Sequence, residues 1–252
     1  MANTVDLAKM TLSEHLDELR SRLVKSISAI LLGTLFAWSR YEDIFAVLRE
    51  PFDRIHKDHP ETILALTGVT SGLVMQLNVA LVAGVLSSSP IWIFQIWRFV
   101  APGLHKNEKK WSLFFTAVAL PMFLTGCWLG YFALPGTLSA LFSFTPAAVT
   151  NVTNVENYIS FSLHLTLFFG LGFLLPLMMV VLNFFHIVSG KTFLSGWRWI
   201  VLGAFFFGAI ATPNGDPLGM AILALPVGVL CFGATGIAIL VDRRRATSGK
   251  DD

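Results

Sequence analysis

The chain is 252 residues long, 54% hydrophobic and only 13% charged, with 22 phenylalanines and a formal net charge of +2. A soluble domain of this size needs far more charge to cover its surface, and a balance so near neutrality is no footprint for nucleic acid. The apolar stretches are continuous rather than alternating, which excludes a transmembrane β-barrel and leaves an integral α-helical membrane protein.

The chain starts polar, MANTVDLAKM, with no short apolar run ending in a small-residue cleavage site, so no cleaved signal peptide is expected. TLSEHLDELRSRL follows, over Thr11–Leu23. Thr11 with Glu14 fits a capping box, and Leu12, Leu16, Leu19 and Leu23 form one stripe at helical spacing. The other faces carry Glu14, His15, Asp17, Glu18, Arg20 and Arg22. One reading is a solvated lead-in helix in which Glu18 and Arg22 make an i,i+4 pair; the other is an acidic surface for a cationic partner.

Six spans are predicted: Val24–Trp38, Gly72–Val100, Trp111–Leu134, Tyr158–Phe185, Trp197–Ala211 and Leu218–Val241. About 20 residues of helix cross roughly 30 Å of hydrocarbon, so the second and fourth are long and the fifth is short. Pro90, Pro121, Pro135, Pro176 and Pro226 predict kinks, and kinked spans favour a concave bundle. The fold expected is all-α: one integral membrane domain over 1–252, with a cytoplasmic segment 1–23, a bundle 24–241 and a basic tail 242–252.

Orientation follows from Lys and Arg. Lys9, Arg20, Arg22 and Lys25; Arg98, Lys106, Lys109 and Lys110; Lys191 and Arg198; and Arg243, Arg244, Arg245 and Lys250 make fourteen on the side shared by both termini. Arg40, Arg49, Arg54 and Lys57 are the four on the other side, so both termini are expected in the cytoplasm. Those four lie in the first external connection, where Ile44, Val47, Leu48, Phe52 and Ile55 predict an amphipathic surface helix interrupted at Pro51.

The second connection, FVAPGLHKNEKKW, offers a Pro102–Gly103 turn, Asn107 as a cap and Glu108 in the next helix's first turn, where the helix dipole favours a carboxylate. Glu18 and Glu108 then share one face, and two carboxylates there can hold two guanidinium groups. In ATPNGDPLGM, Asp216 is an N-cap and Pro217 the first helical position. Gln76, Asn78, Gln95, Thr166 and Asn183 are read as hydrogen-bonding neighbours within the bundle, and His164 is the one ionisable side chain well inside a span. Cys127 and Cys231 are read as buried thiols. No phosphate-binding loop, zinc spacing or nucleophile elbow occurs, so neither an enzyme nor a metal or cofactor site is expected.

LSEHLDELRSRL, SSPIWIFQIWRFVAPGLHKNEKK and TPNGDPLGMAILALP together resemble the TatC family, the large membrane subunit of twin-arginine protein translocases. The likeness runs from about Leu12 to Val241. It implies a non-enzymatic receptor for the twin-arginine signal peptides of folded cargo, in the cytoplasmic membrane, with transport driven by the protonmotive force. It also implies an oligomeric complex with small single-span TatA-type and TatB-type subunits along spans five and six. The matching positions for the signal peptide are Glu18, Arg20, Phe99, Lys106 and Glu108; Pro51 matches a position of the external cap helix and Asp216 one of the outer turn, while Thr212 or apolar packing is expected to serve partner docking. Two positions depart from the family pattern: Leu174 stands where many members are acidic or carry an amide, and Met220 where the sixth span often begins with a polar residue. A secondary transporter of a small solute is the competing class, though neither repeat symmetry nor interrupted helices around a mid-membrane site are evident. An intramembrane enzyme rests only on His164 and scattered serines.

Overall fold

The computed structural model describes residues 12–57, 62–100, 108–144, 146, 151–212 and 217–248. Within them the chain forms helices α1 (Leu12–Ser39), α2 (Tyr41–His56), α3 (Ser71–Ser87), α4 (Ser89–Val100), α5 (Glu108–Phe142), α6 (Val155–Phe184), α7 (Gly190–Ser195), α8 (Trp197–Ala211) and α9 (Pro217–Ser248). Helix α1 packs on α3 and α4, α5 on α6, α6 on α9, and α9 on α8. Close approach explains the α1–α3 crossing. A Cβ on Gly33 would sit 2.8 Å from the Gly84 carbonyl oxygen, and one on Gly84 would sit 2.6 Å from the Thr34 nitrogen.

Among the described residues, four stretches are each long and apolar enough to cross a bilayer: Leu16–Ser39, Leu113–Phe142, Val155–Phe184 and Pro217–Arg245. The predicted second span is divided. Helices α3 and α4 meet at Ser88 with a bend of 57°, two residues before Pro90, and pass the same test only as a pair. The break is chemically supported: the Ser88 hydroxyl donates to the Gly84 carbonyl at 2.7 Å, and the Trp92 indole N–H donates to the Val85 carbonyl at 2.9 Å. Helix α8 coincides with the predicted fifth span, but its 15 residues reach only about 22 Å.

The interior divides into two apolar clusters. One gathers Phe52 and Ile55 of α2 with Leu134, Tyr158, Leu165, Leu223 and Val227. The other gathers Trp92 and Trp97 of α4 with Phe115, Phe123, Leu177 and Val181. Cys127 and Cys231 are buried free thiols.

Helix α2 corrects one expectation, because it continues through Pro51. Proline has no N–H for the Val47 carbonyl one turn back. The Tyr131 hydroxyl from α5 supplies that donor at 2.9 Å, and the Tyr158 hydroxyl from α6 donates to the neighbouring Leu48 carbonyl at 2.6 Å. Pro51 is buried with Leu48, Phe52 and Ile55, so the proline faces the bundle and the two tyrosines fasten the helix there. On its exposed side Arg54 hydrogen-bonds Glu50 at 2.6 Å. That bond, the arginine's charge and the Tyr131 hydroxyl hold the Glu50 carboxyl below its ordinary range.

A second addition to the all-α expectation is a small parallel sheet. β1 (Thr62–Ala65) pairs with β2 (Asn151–Asn154), with Thr62 opposite Asn151 and Ala65 opposite Asn154. It joins the α2–α3 and α5–α6 connections. The His56 ring nitrogen Nδ1 donates to the Thr62 carbonyl at 2.7 Å, tying the end of α2 to β1.

Candidate functional site

Alternating helix directions bring the start of α1, the end of α4 and the start of α5 to the end of the bundle opposite α2. Glu18, Arg20, Phe99 and the first residue of α5, Glu108, therefore share that end. The Glu108 side chain lies outside what the structure describes, as do all of Lys106 and Asp216.

The lead-in helix is turned the other way from a solvated amphipathic helix on a soluble protein. Leu16, Leu19 and Leu23 are 62%, 39% and 54% exposed, while the side chains of Glu18 and Arg22 are 18% and 11% exposed. In chain order the more enclosed positions of α1 include Glu18, Arg22, Ser26, Ile30, Gly33 and Ala37, a helical stripe that runs into the α3–α4 contact. The physical reason is the solvent. A helix entering a bilayer presents its leucines to lipid, so the charged pair faces protein. Arg20 stays exposed.

The i,i+4 pair forms, but it is lopsided. Arg22 Nε donates to Glu18 Oε1 at 3.0 Å and Arg22 Nη2 donates to the same oxygen. Glu18 Oε2 is buried, with no hydrogen-bond partner among the described residues. An arginine and a carboxylate usually pair fork to fork, one donor to each oxygen. Here one oxygen is fully used and the other is desolvated and unused. Such an atom costs on the order of 1–3 kcal/mol unless something supplies a donor. Phe99, partly enclosed near the end of α4, lies two residues past Trp97, whose ring stacks on Phe115 of α5 at 5.1 Å.

A different carboxylate on the same side of the bundle is fully satisfied. Asp242 of α9 accepts from the Asn183 side-chain amide at 3.0 Å and from the Gly190 backbone N–H at 2.7 Å. Arg245 donates to the Asn183 and Phe184 carbonyls at 3.2 and 3.1 Å. Together they fasten the end of α6 and the start of α7 to α9. Asn183 thus behaves as an interhelical hydrogen-bonding amide, in line with the sequence reading.

The remaining positions resolve as follows. Thr212 is 3% exposed and its hydroxyl donates to the Gly208 carbonyl at 2.8 Å, within its own helix. Leu174 packs against the Trp92–Phe123 cluster. The Met220 backbone carbonyl is where α9 touches Gly208 of α8. His164 uses Nδ1 to donate to the Ser160 carbonyl at 2.6 Å and stacks on Phe168. The sequence reading passed over Tyr131, Tyr158 and Asp242. For the tyrosines a signal was present: only three tyrosines stand beside 22 phenylalanines, and each adds a hydroxyl that needs a partner when enclosed.

Several bilayer-length apolar helices packed into one bundle define a polytopic membrane protein. The chain belongs to the TatC family, the Sec-independent protein translocase proteins, whose model matches residues 14–226. It is similar to the Sec-independent protein translocase protein TatC of Xylanimonas cellulosilytica, 38% identical over 94% of this chain and 86% of that one. It is likewise similar to that of Synechocystis, 34% identical over 94% of this chain and 91% of that one. Among solved structures it resembles a crystal structure of the twin-arginine translocase receptor TatC in the detergent DDM. There the TM-score is 0.78 and identity 31%, over 89% of this chain and 99% of that one. These relatives are components of a protein translocase, and nothing in them supports a carrier of small solutes.

Proposed function

We propose that the chain is the signal-peptide receptor subunit of a twin-arginine translocase, binding the paired arginines that lead folded cargo to export. One observation carries this reading: Glu18 is turned inward with one carboxylate oxygen buried and unpartnered. A guanidinium is the ligand chemistry that such an oxygen accepts best, since it is cationic, weakly hydrated and rich in N–H groups. Glu108, at the start of α5 on the same end, is the second carboxylate and takes the second arginine. Arg20, Phe99 and Lys106 complete the contact region, with Arg20 ordering the acidic surface.

In this reading six spans cross the cytoplasmic membrane with both termini inside, as the fourteen-to-four distribution of Lys and Arg favours. Helix α2, with Pro51, lies on the outer surface, and Asp216 caps the outer turn before α9. Single-span TatA-type and TatB-type subunits dock along α8 and α9. The exposed Phe206, Ile210, Leu225 and Val229 support apolar packing there, since the Thr212 hydroxyl is spent within its helix. Transport draws on the protonmotive force, and the subunit performs no covalent chemistry.

The test is binding of a synthetic twin-arginine leader peptide to the full chain in nanodiscs. Glu18→Gln and Glu108→Gln should each weaken it by about 100-fold, the usual cost of removing one partner of an enclosed charged hydrogen bond. Wild-type affinity in both variants would remove the proposed site.

A further inference from the structure

Arg22 has no role in the receptor reading so far, yet it is the group that touches Glu18. Its side chain is the more enclosed of the two, and two of its N–H groups converge on Oε1. Its backbone carbonyl accepts from the Ser26 hydroxyl at 3.0 Å, a further bond on the packed stripe of α1. The pair is therefore a resident guanidinium–carboxylate complex, neutral overall, with the second oxygen enclosed and lacking a donor among the described residues.

We infer that Arg22 determines specificity at this site: it occupies half of Glu18 so that a guanidinium, and not an ammonium, can claim the other half. The inference rests on the receptor reading of Glu18. A cation approaching Oε2 meets a carboxylate already neutralised, with the positive charge of Arg22 beside it. A lysine ammonium is a compact, strongly hydrated charge. It would give up much of its hydration for one shared oxygen and feel the neighbouring cation at full strength. An arginine spreads its charge over a planar group, gives up less hydration, and reaches a single oxygen with two N–H groups, as Arg22 itself does on Oε1. Without Arg22, Glu18 would be an unmasked anion that any cation could satisfy.

The experiment compares two synthetic leader peptides, identical except for Arg-Arg against Lys-Lys, binding to the full chain in nanodiscs. In Arg22→Gln the Lys-Lys peptide should gain about tenfold, the size of one partly screened charge contact, while the Arg-Arg peptide gains less. The preference for arginine therefore narrows. Arg22→Lys keeps the charge without the planar fork and should narrow it by about threefold; it carries the test alone should Arg22→Gln fail to fold. An unchanged preference in the folded variants, or equal weakening of both peptides, would overturn the inference and leave Arg22 as a mere prop for Glu18. Failure of the receptor reading is separable, because it shows in Glu18→Gln: there the Arg-Arg peptide would bind as tightly as to the wild type.

Discussion

Glu18 and Asp242 are carboxylates on the same side of the bundle, and their surroundings differ in kind. Asp242 has a donor for each oxygen, an amide from α6 and a backbone N–H from α7, and so joins three helices. Among the described residues Glu18 has two donors on one oxygen and none on the other. The far end of the molecule repeats the first pattern: where Pro51 removes a backbone donor from α2, Tyr131 and Tyr158 supply hydroxyls to Val47 and Leu48. The polar groups at Asp242 and around Pro51 are satisfied by the fold, whereas Glu18 Oε2 shares with the hydroxyls of Thr62 and Thr166 the lack of a partner among the described residues, and of the three it alone belongs to a carboxylate. Stability and binding should accordingly separate on mutation.

The largest effect belongs to the unsaturated group. Glu18→Gln should cost about 100-fold in leader binding while the protein's melting temperature changes little, because the isosteric amide still accepts from Arg22. A large fall in melting temperature with binding intact would reverse the assignment. Next comes Asn183→Ala, which removes the donor to Asp242 and the 3.1 Å bond to the Val188 carbonyl. It should destabilise the protein by about 2 kcal/mol in denaturant unfolding, and the folded fraction should bind leader normally. Tyr158→Phe strips one hydroxyl from the α2 anchor and should cost about 1 kcal/mol, with faster hydrogen exchange confined to α2 and its contacts.

The smallest effect is a pH dependence. Glu50 has a folded pKa lowered first by its hydrogen bond from Arg54, then by that arginine's charge. Its contribution is present above the unfolded carboxylate value of about 4.3 and drains away as pH falls through the lowered folded value. The protection factors of α2 amides, measured against their intrinsic exchange rates at each pH, should therefore fall in acid, and Glu50→Gln should abolish that fall without touching leader binding.

Several features were legible in the sequence because they depend on local composition. The bounds of α8, the apolar spans, and the leucine periodicity of the lead-in helix all follow from which residues stand next to one another. What the leucine stripe faces did not follow. Periodicity gives a face, and only the surrounding solvent says whether that face turns toward protein or lipid. The continuity of α2 was hidden for another reason. A proline breaks a helix unless the carbonyl it orphans finds a donor, and here that donor, Tyr131, lies 84 residues beyond Val47, with Tyr158 anchoring the neighbouring carbonyl from 110 residues beyond Leu48. The four-residue strands carry too few residues for an alternation to be seen, and they pair between distant connections. The lopsided pairing of Glu18 could not be read from i,i+4 spacing, which predicts the pair but not which oxygen it uses.

In the receptor reading, the unpartnered oxygen of Glu18 is the seat of a leader arginine. Carbon-13 NMR of the Glu18 side-chain carboxylate, assigned by comparison with Glu18→Gln and followed during titration with a twin-arginine leader, reports on that atom directly. The resonance should move and saturate with bound leader, and should stay fixed with a leader whose two arginines are replaced by glutamine. A carboxylate signal that does not move while the leader binds elsewhere on the protein would contradict it.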